Sequence, residues 1–363
     1  MEPWLTGGFG NPSGGHRVAR AARQAVDEAR DVVAAVLGCD PGEVVFTSGG
    51  TEADNLAVAG VLAAAREAGR ASGALCSAIE HHAVLHAVEA EGGHVVAVDA
   101  SGQIDLEALD DALGDDTALV SVMLANNEVG TIEDLGGVAA VMSRRAPRAV
   151  LHTDAVQAAP WLDVATLAAP AQLISIAAHK FGGPQGVGAL VVRSGTPLTP
   201  LLRGGGQERE RRSGTHNVAG IAGMAGALAA TASDRTEAAA DTAHRRDRLV
   251  RGIASSLEGV VETAAGAPRL PNIAHLRFAG VDNEALLVLL DDADVCASAG
   301  SACASGALEP SHVLAAMGIA KEDARGALRL SLGRTTTDAD VDRGIEAVVD
   351  AMRRLSLPVG SRH

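Results

Sequence analysis

Of the 30 basic side chains in this 363-residue sequence only two, Lys180 and Lys321, are lysines, and the first of them closes the apolar stretch AQLISIAAHK. Arginine supplies positive charge as well as lysine does, but it keeps its proton and cannot attack a carbonyl. Lysine is the side chain that forms Schiff bases, and burial lowers its pKa toward the useful range. A lysine kept at that place in an arginine-rich chain points to amine chemistry; the competing reading is a strand-end lysine that snorkels to water. Lys321, in the charged run AKEDAR, reads as a solvated helix residue.

Other reactive groups gather at the ends of short apolar runs. Asp154 follows AVLHT, with Gln157 one helical turn beyond it. A carboxylate there either caps a helix or holds a proton on a ring nitrogen. In FTSGGTEADNLA, Gly49 and Gly50 allow close backbone approach, while Thr51 and Glu52 open a helix whose exposed N–H groups favour phosphate; an ordinary N-cap is the alternative. His179 precedes the lysine, and His81 and His82 follow GALCS, where a histidine could stack on a cofactor ring and shuttle protons. His82 reads as the structural one of that pair. An amide from Asn126 or Asn127 could bond a phenolic oxygen or simply mark a turn in NNEVG. Arg329, in ALRLSLGRT, has the planar fork that suits a substrate carboxylate, and a surface ion pair is its default role. Cys303 lies in SAGSACASGAL, a stretch too small-chained to pack firmly, and reads as a thiol on a mobile loop. Cys76 reads as a core residue, Cys39 as a turn residue and Cys296 as a strand residue.

The elements that must position these groups follow from periodicity. Short Val/Leu/Ile runs at 43–46, 73–77, 94–98, 118–124, 149–153, 172–176 and 188–192 alternate with helical stretches. Continuous apolar strands separated by helices predict a mostly parallel sheet covered on both faces, an α/β architecture whose ligands bind beyond the carboxyl ends of the strands. Apolar residues at helical spacing (Val18, Ala22, Ala25, Ala29, Val32, Val36) predict a helix over 16–37, stopped by Gly38 and Pro41. An Ala-rich helical region runs from about 217 to 257. Beyond it come a strand at 272–278, a helix from 283, a short strand around Val295 and a strand–helix pair from 327. The length favours two domains, and the joint falls near 235: 1–235 as a large domain and 236–363 as a small one carrying the cysteine loop.

Composition excludes several functions. A net charge of -15 argues against a nucleic-acid surface. No apolar run reaches membrane-spanning length and no signal segment opens the sequence, so a cytoplasmic protein is expected. Four cysteines without a CxxC pair argue against a disulfide scaffold and a zinc site. Tyrosine is absent and so cannot be an acid or base.

Taken in order, FGNPSGGH, FTSGGTEADNLA, IEHHAVL, ANNEVGTI, HTDAVQA, AAHKFGGPQGVGAL, GGGQERERRSGT, SAGSACASGALEPSHVL and LRLSLGR resemble the cysteine desulfurases, a branch of the class V aminotransferase-like pyridoxal-phosphate enzymes of fold type I. The resemblance runs from about residue 4 to 340. It implies pyridoxal 5'-phosphate as cofactor, with Lys180 as the Schiff-base lysine, Asp154 as partner of the pyridine nitrogen, Gln157 and Asn127 on the ring oxygen, and His81 stacked on the ring. It places Gly50, Thr51 and His179 on the phosphate, and Thr215 on the phosphate of a second subunit in a homodimer. Arg329, with Asn127, binds the carboxylate of L-cysteine, and Cys303 accepts its sulfur. The implied reaction gives L-alanine and an enzyme persulfide, which passes to an acceptor such as an iron–sulfur scaffold or a sulfur carrier. A selenocysteine lyase, a cysteine-sulfinate desulfinase, an aminotransferase and an inactive scaffold paralogue share parts of this set. The family usually opens with a DNAATTP-like strand ahead of the FGNP motif, whereas this sequence begins just before that motif. Where the family commonly has a serine three residues before the lysine, this sequence has Ala177.

Overall fold

The computed structural model describes residues 1–300 and 311–356, and two compact units divide the chain. Unit one comprises Met1–Ala97, Ile104–Ala125 and Glu133–Arg235; unit two comprises Val98–Gln103, Asn126–Ile132 and the chain from Thr236 onward. Among the described residues no helix is long and apolar enough to cross a membrane.

The first unit is built on seven strands: β1 (Val44–Thr47), β2 (Gly73–Ser77), β3 (His94–Val96), β4 (Thr117–Ser121), β5 (Val150–Asp154), β6 (Leu173–Ala177) and β7 (Gly188–Val192). They lie in the order β1-β7-β6-β5-β4-β2-β3. The five strands from β6 to β3 are parallel, and β7 runs antiparallel to both β6 and β1. Every residue of β1, β5, β6 and β7 is buried, so neither face of the central sheet meets water, as the uninterrupted apolar runs require. Helix Gly50–Glu67 packs Leu56, Val58, Val61 and Leu62 into this core beside Leu119, Leu173 and Leu190.

The helix before β1 forms over Arg17–Leu37 and stops at Gly38, whose φ of 63° suits a residue without a Cβ. Its buried face matches the expected one in part. Ala19, Ala22, Val26, Ala29, Val33 and Leu37 are buried, whereas Val18 is exposed and Val32 and Val36 are half-buried. Ala22, Ala25 and Ala29 are buried as expected, but the buried face continues through Val26, Val33 and Leu37 instead of Val18, Val32 and Val36.

A 39-residue helix, Val218–Ser256, carries the chain into the second unit. There β8 (Val260–Glu262), β9 (Ile273–Phe278) and β10 (Ala327–Ser331) form an antiparallel sheet in the order β10-β9-β8. Leu276, Phe278, Leu328 and Leu330 pack against Leu286 and Leu290 of helix Asn283–Asp291 and Val348 and Met352 of helix Asp338–Ser356. Among the described residues the strand expected around Val295 does not form, and the bridge Ser298–Arg329 stands in its place. Cys296 accordingly lies outside any strand, exposed, which corrects the sequence reading.

Candidate active site

β5 and β6 are parallel neighbours, so their carboxyl ends open on the same side of the sheet, with Asp154 paired to Ser175 in register. Asp154 is 5% exposed. Its Oδ1 accepts the Val156 N–H at 2.8 Å, a local turn that fixes the carboxylate at the strand end. Burial pushes this acid up to about 6, against the Val156 bond and the Lys180 ammonium, which both pull it down.

Lys180 is not on the strand itself. β6 ends at Ala177, and a 3-10 turn, Ala178–Phe181, lifts His179 and Lys180 into exposed positions. The turn is closed by Gly182 at φ 79°, whose N–H donates to Ala178 O. Partial burial lowers the His179 pKa, and the adjacent Lys180 lowers it further.

His179 also lines a cavity of about 350 Å³ with Ser48, Gly49, Gly50, Thr51, Glu52, Gln185 and Gly186. Helix Gly50–Glu67 opens here, and its N-cap residue, Gly49, has no side chain to satisfy the first N–H groups. Gly49 has φ 155° and ψ -177°, backbone open to glycine alone. Across from it, a Cβ on Gly188 would lie 2.7 Å from the Gly49 carbonyl carbon, so β7 passes only because that position is glycine too.

His81 is the N-cap of helix His82–Ala90, and its Nδ1 accepts the Ala83 N–H at 3.1 Å. That bond places the ring proton on Nε2. His82 stacks on His86, with ring centroids 4.9 Å apart. Gln157 is half-buried in the turn after β5. Thr215 is exposed between two anchored neighbours. Arg212 grips Glu52 with Nε and Nη2 at 2.7 and 3.1 Å, and His216 Nε2 lies 2.6 Å from Glu208 Oε1.

Lys180, Asp154, His81, His179, Gly50, Thr51, Gln157 and Thr215 all belong to the first unit. Asn127 and Arg329 belong to the second, where Arg329 Nη1 donates to the Asn127 carbonyl at 2.9 Å. Asn126 is the turn-maker of its pair: fully buried, it accepts the Glu128 and Val129 N–H groups at 2.8 and 2.9 Å. Cys303 lies outside the described residues. Cys76 is fully buried in β2, and burial raises its thiol pKa far out of the reactive range. Cys39 is half-buried and pushed up to about 11 by burial.

Periodicity did not reveal the polar groups beneath Asp154. His152, fully buried in β5, has Nδ1 2.8 Å from Ser121 Oγ and Nε2 3.0 Å from Ser175 Oγ. Asp54 Oδ1 lies 3.7 Å from the same Nε2. Burial pulls His152 down to about 3, so it is neutral, while burial and the charge of Asp154 raise Asp54 well above the carboxylate range. Glu80, also fully buried, accepts the Met123 N–H at 2.6 Å and is raised by burial and by Asp154. The available signal was a histidine and two serines inside otherwise apolar strands, HTD, VSV and ISI.

The sequence matches the aminotransferase class-V family over residues 1–343. It is 45% identical over 357 residues to the IscS-like cysteine desulfurase of Mycobacterium tuberculosis, a match covering 95% of this chain and 90% of that protein. Among solved structures, a NifS-like protein superposes with a TM-score of 0.89 at 34% identity, covering 98% of this chain and 94% of the other. SspA in complex with cysteine superposes with a TM-score of 0.79 at 30% identity, covering 93% and 94% of the two chains.

Proposed function

This chain belongs to the class-V aminotransferase family and, within it, to the cysteine desulfurases, and from that premise we infer that Lys180, Asp154 and Cys303 carry out the removal of sulfur from L-cysteine. The buried Asp154 at the end of β5, with Lys180 on the turn that follows the neighbouring parallel strand β6 and an uncapped helix N-terminus near that turn, is the observation that supports this reading most.

The residues present fit pyridoxal 5'-phosphate, the family's cofactor. The helix opening at Gly50 has no side-chain cap and lines, with His179, a cavity large enough for a phosphate, while the end of β5 supplies a carboxylate and the turn after β6 an amine. Gly50, Thr51 and His179 would hold the phosphate, Gln157 and Asn127 the ring oxygen, and His81 would stack on the ring. When bound, the cofactor supplies an electron-withdrawing ring that stabilises negative charge at the α-carbon of an amino acid.

The side chains then have distinct tasks. Asp154 would hold the proton on the ring nitrogen, and the Val156 N–H favours the ionised form that this requires. Lys180 Nζ anchors the cofactor between turnovers and carries a proton to and from the substrate α-carbon. His81 has its proton on Nε2 and serves as the second proton carrier through that atom. Arg329 binds the substrate carboxylate. Cys303, as thiolate, attacks the substrate sulfur: the Sγ–S bond forms, the substrate Cβ–S bond breaks with its electron pair left on carbon, and Cβ takes a proton to give L-alanine. The persulfide passes to an acceptor such as an iron–sulfur scaffold or a sulfur carrier. Thr215, exposed between anchored neighbours, reaches the phosphate of a second subunit, making the enzyme a homodimer. The acidic chain, with no CxxC pair, fits residence in the cytoplasm.

A pair of variants tests the reading. Lys180→Ala purifies without the yellow colour of the holoenzyme, whereas Cys303→Ser keeps the colour and forms no persulfide from cysteine. Sulfide release by Cys303→Ser at the wild-type rate, with an acceptor present, would contradict the thiol assignment.

A further inference from the structure

The turn that follows Ala125 is shaped from within by one amide. Asn126 is fully buried; its Oδ1 accepts from Glu128 N at 2.8 Å and Val129 N at 2.9 Å, and its own N–H donates to Thr131 O at 2.8 Å. The backbone so held presents the Asn127 carbonyl, which accepts from Arg329 Nη1 at 2.9 Å. The main chain of Arg329 is fixed separately on both edges. On one side it pairs with His275 of β9; on the other, Arg329 N donates to Ser298 O at 2.6 Å and Ser298 N to Arg329 O at 3.2 Å. What this leaves to be set is the orientation of the guanidinium plane, and a planar fork recognises a carboxylate only when that plane is correctly turned.

We propose that Asn126 is a positioning residue for substrate recognition: its side chain shapes the turn whose Asn127 carbonyl orients Arg329 toward the carboxylate of the amino-acid substrate. The proposal rests on the reading of Arg329 as the carboxylate-binding residue. It gives Asn126 a role beyond turn formation, because a displaced carbonyl takes one hydrogen bond from the guanidinium while leaving β9 and β10 paired.

The holoenzyme tests it with two ligands, each read by the absorbance change it causes on binding. L-Alanine carries both amine and carboxylate, whereas cysteamine has the amine and thiol but no carboxylate. Asn126→Ala is expected to weaken L-alanine about tenfold, the equivalent of one lost buried hydrogen bond, and to leave cysteamine unchanged. Asn126→Asp keeps the acceptor oxygen and restores L-alanine affinity. Arg329→Ala shows the same selective loss, larger. Should the alanine variant not fold, Asn126→Ser, with a shorter acceptor, is expected to give a smaller loss confined to L-alanine. Equal weakening of both ligands, or of neither, in the Asn126 variants overturns the proposal while a selective loss in Arg329→Ala leaves the arginine reading standing. If Arg329→Ala itself shows no selective loss, the arginine reading fails and the proposal with it.

Discussion

At the scale of single residues, the buried histidines and Ala177 make the account measurable. His275, 1% exposed, has Nδ1 2.9 Å from Thr263 Oγ1, and burial together with Arg329 and Arg277 pulls it down to about 3. His152 is pulled down to about 3 by burial. In both cases the unfolded chain takes up a proton below the ordinary histidine value of about 6.5 and the folded protein does not. The stability they contribute is therefore complete above that value and is lost as pH falls from there toward 3. Asp154, raised to about 6, acts in the opposite sense between that pH and the ordinary carboxylate value. The readout is thus a difference: thermal melts across this range should fall more steeply for wild type than for His275→Gln, and parallel curves would refute the argument. Ala177 is fully buried, and a Cβ on Gly50 would stand 3.5 Å from its own Cβ. A hydroxyl there would add one charge-assisted hydrogen bond to a bound phosphate, about 1.5 kcal/mol or more. Ala177→Ser should therefore tighten cofactor binding at least about tenfold when the apoprotein is titrated with pyridoxal phosphate, and unchanged affinity would show that the position does not face the phosphate.

At the scale of elements, the loop that carries Thr215 is held by a buried ion pair. Glu208 accepts from Arg30 Nη2 at 2.8 Å and Nη1 at 2.9 Å, from Phe46 N at 2.9 Å, and pairs with His216. Burial alone would raise this acid, yet the bonds from His216 and Arg30 hold it at about 2. Residues 208–210 adopt left-handed φ values of 49°, 56° and 65°, a backbone the clasp must sustain. Glu208→Ala leaves the Arg30 charge buried without its partner, which costs about 3–5 kcal/mol; chemical denaturation should register that loss, and a change below about 1 kcal/mol would discount the clasp. Sequence inspection does not reveal this pair, because its members lie 178 residues apart and each reads as a surface charge. The strands were legible for the opposite reason: a fully buried strand must be apolar at every position, and GALCS and GALVV form over the very residues that their composition marks. VVE at 260–262 escaped because a three-residue edge strand, half exposed, carries no such run. The helix over Arg17–Leu37 was legible in extent but only partly in face: Ala22, Ala25 and Ala29 are buried as read, whereas Val26 and Val33, not Val18, Val32 and Val36, complete the buried side. At the site, strand-end Asp154 and Lys180 stood out, whereas the roles given to His81, Gln157 and Asn127 came from the resemblance.

For the whole molecule, the account requires two copies. If Thr215 serves the site of its neighbour, mixing Lys180→Ala with Thr215→Ala subunits yields dimers in which one site has both residues, and desulfurase activity should return. Self-contained sites would gain nothing on mixing. The scarcity of lysine also makes the central claim directly measurable, because only Lys180 and Lys321 can hold an aldehyde through a side-chain amine. Borohydride reduction of the yellow holoprotein, followed by peptide mass mapping, should place the pyridoxyl group on the peptide containing Lys180. A label on Lys321, or no label on either lysine, would contradict the account.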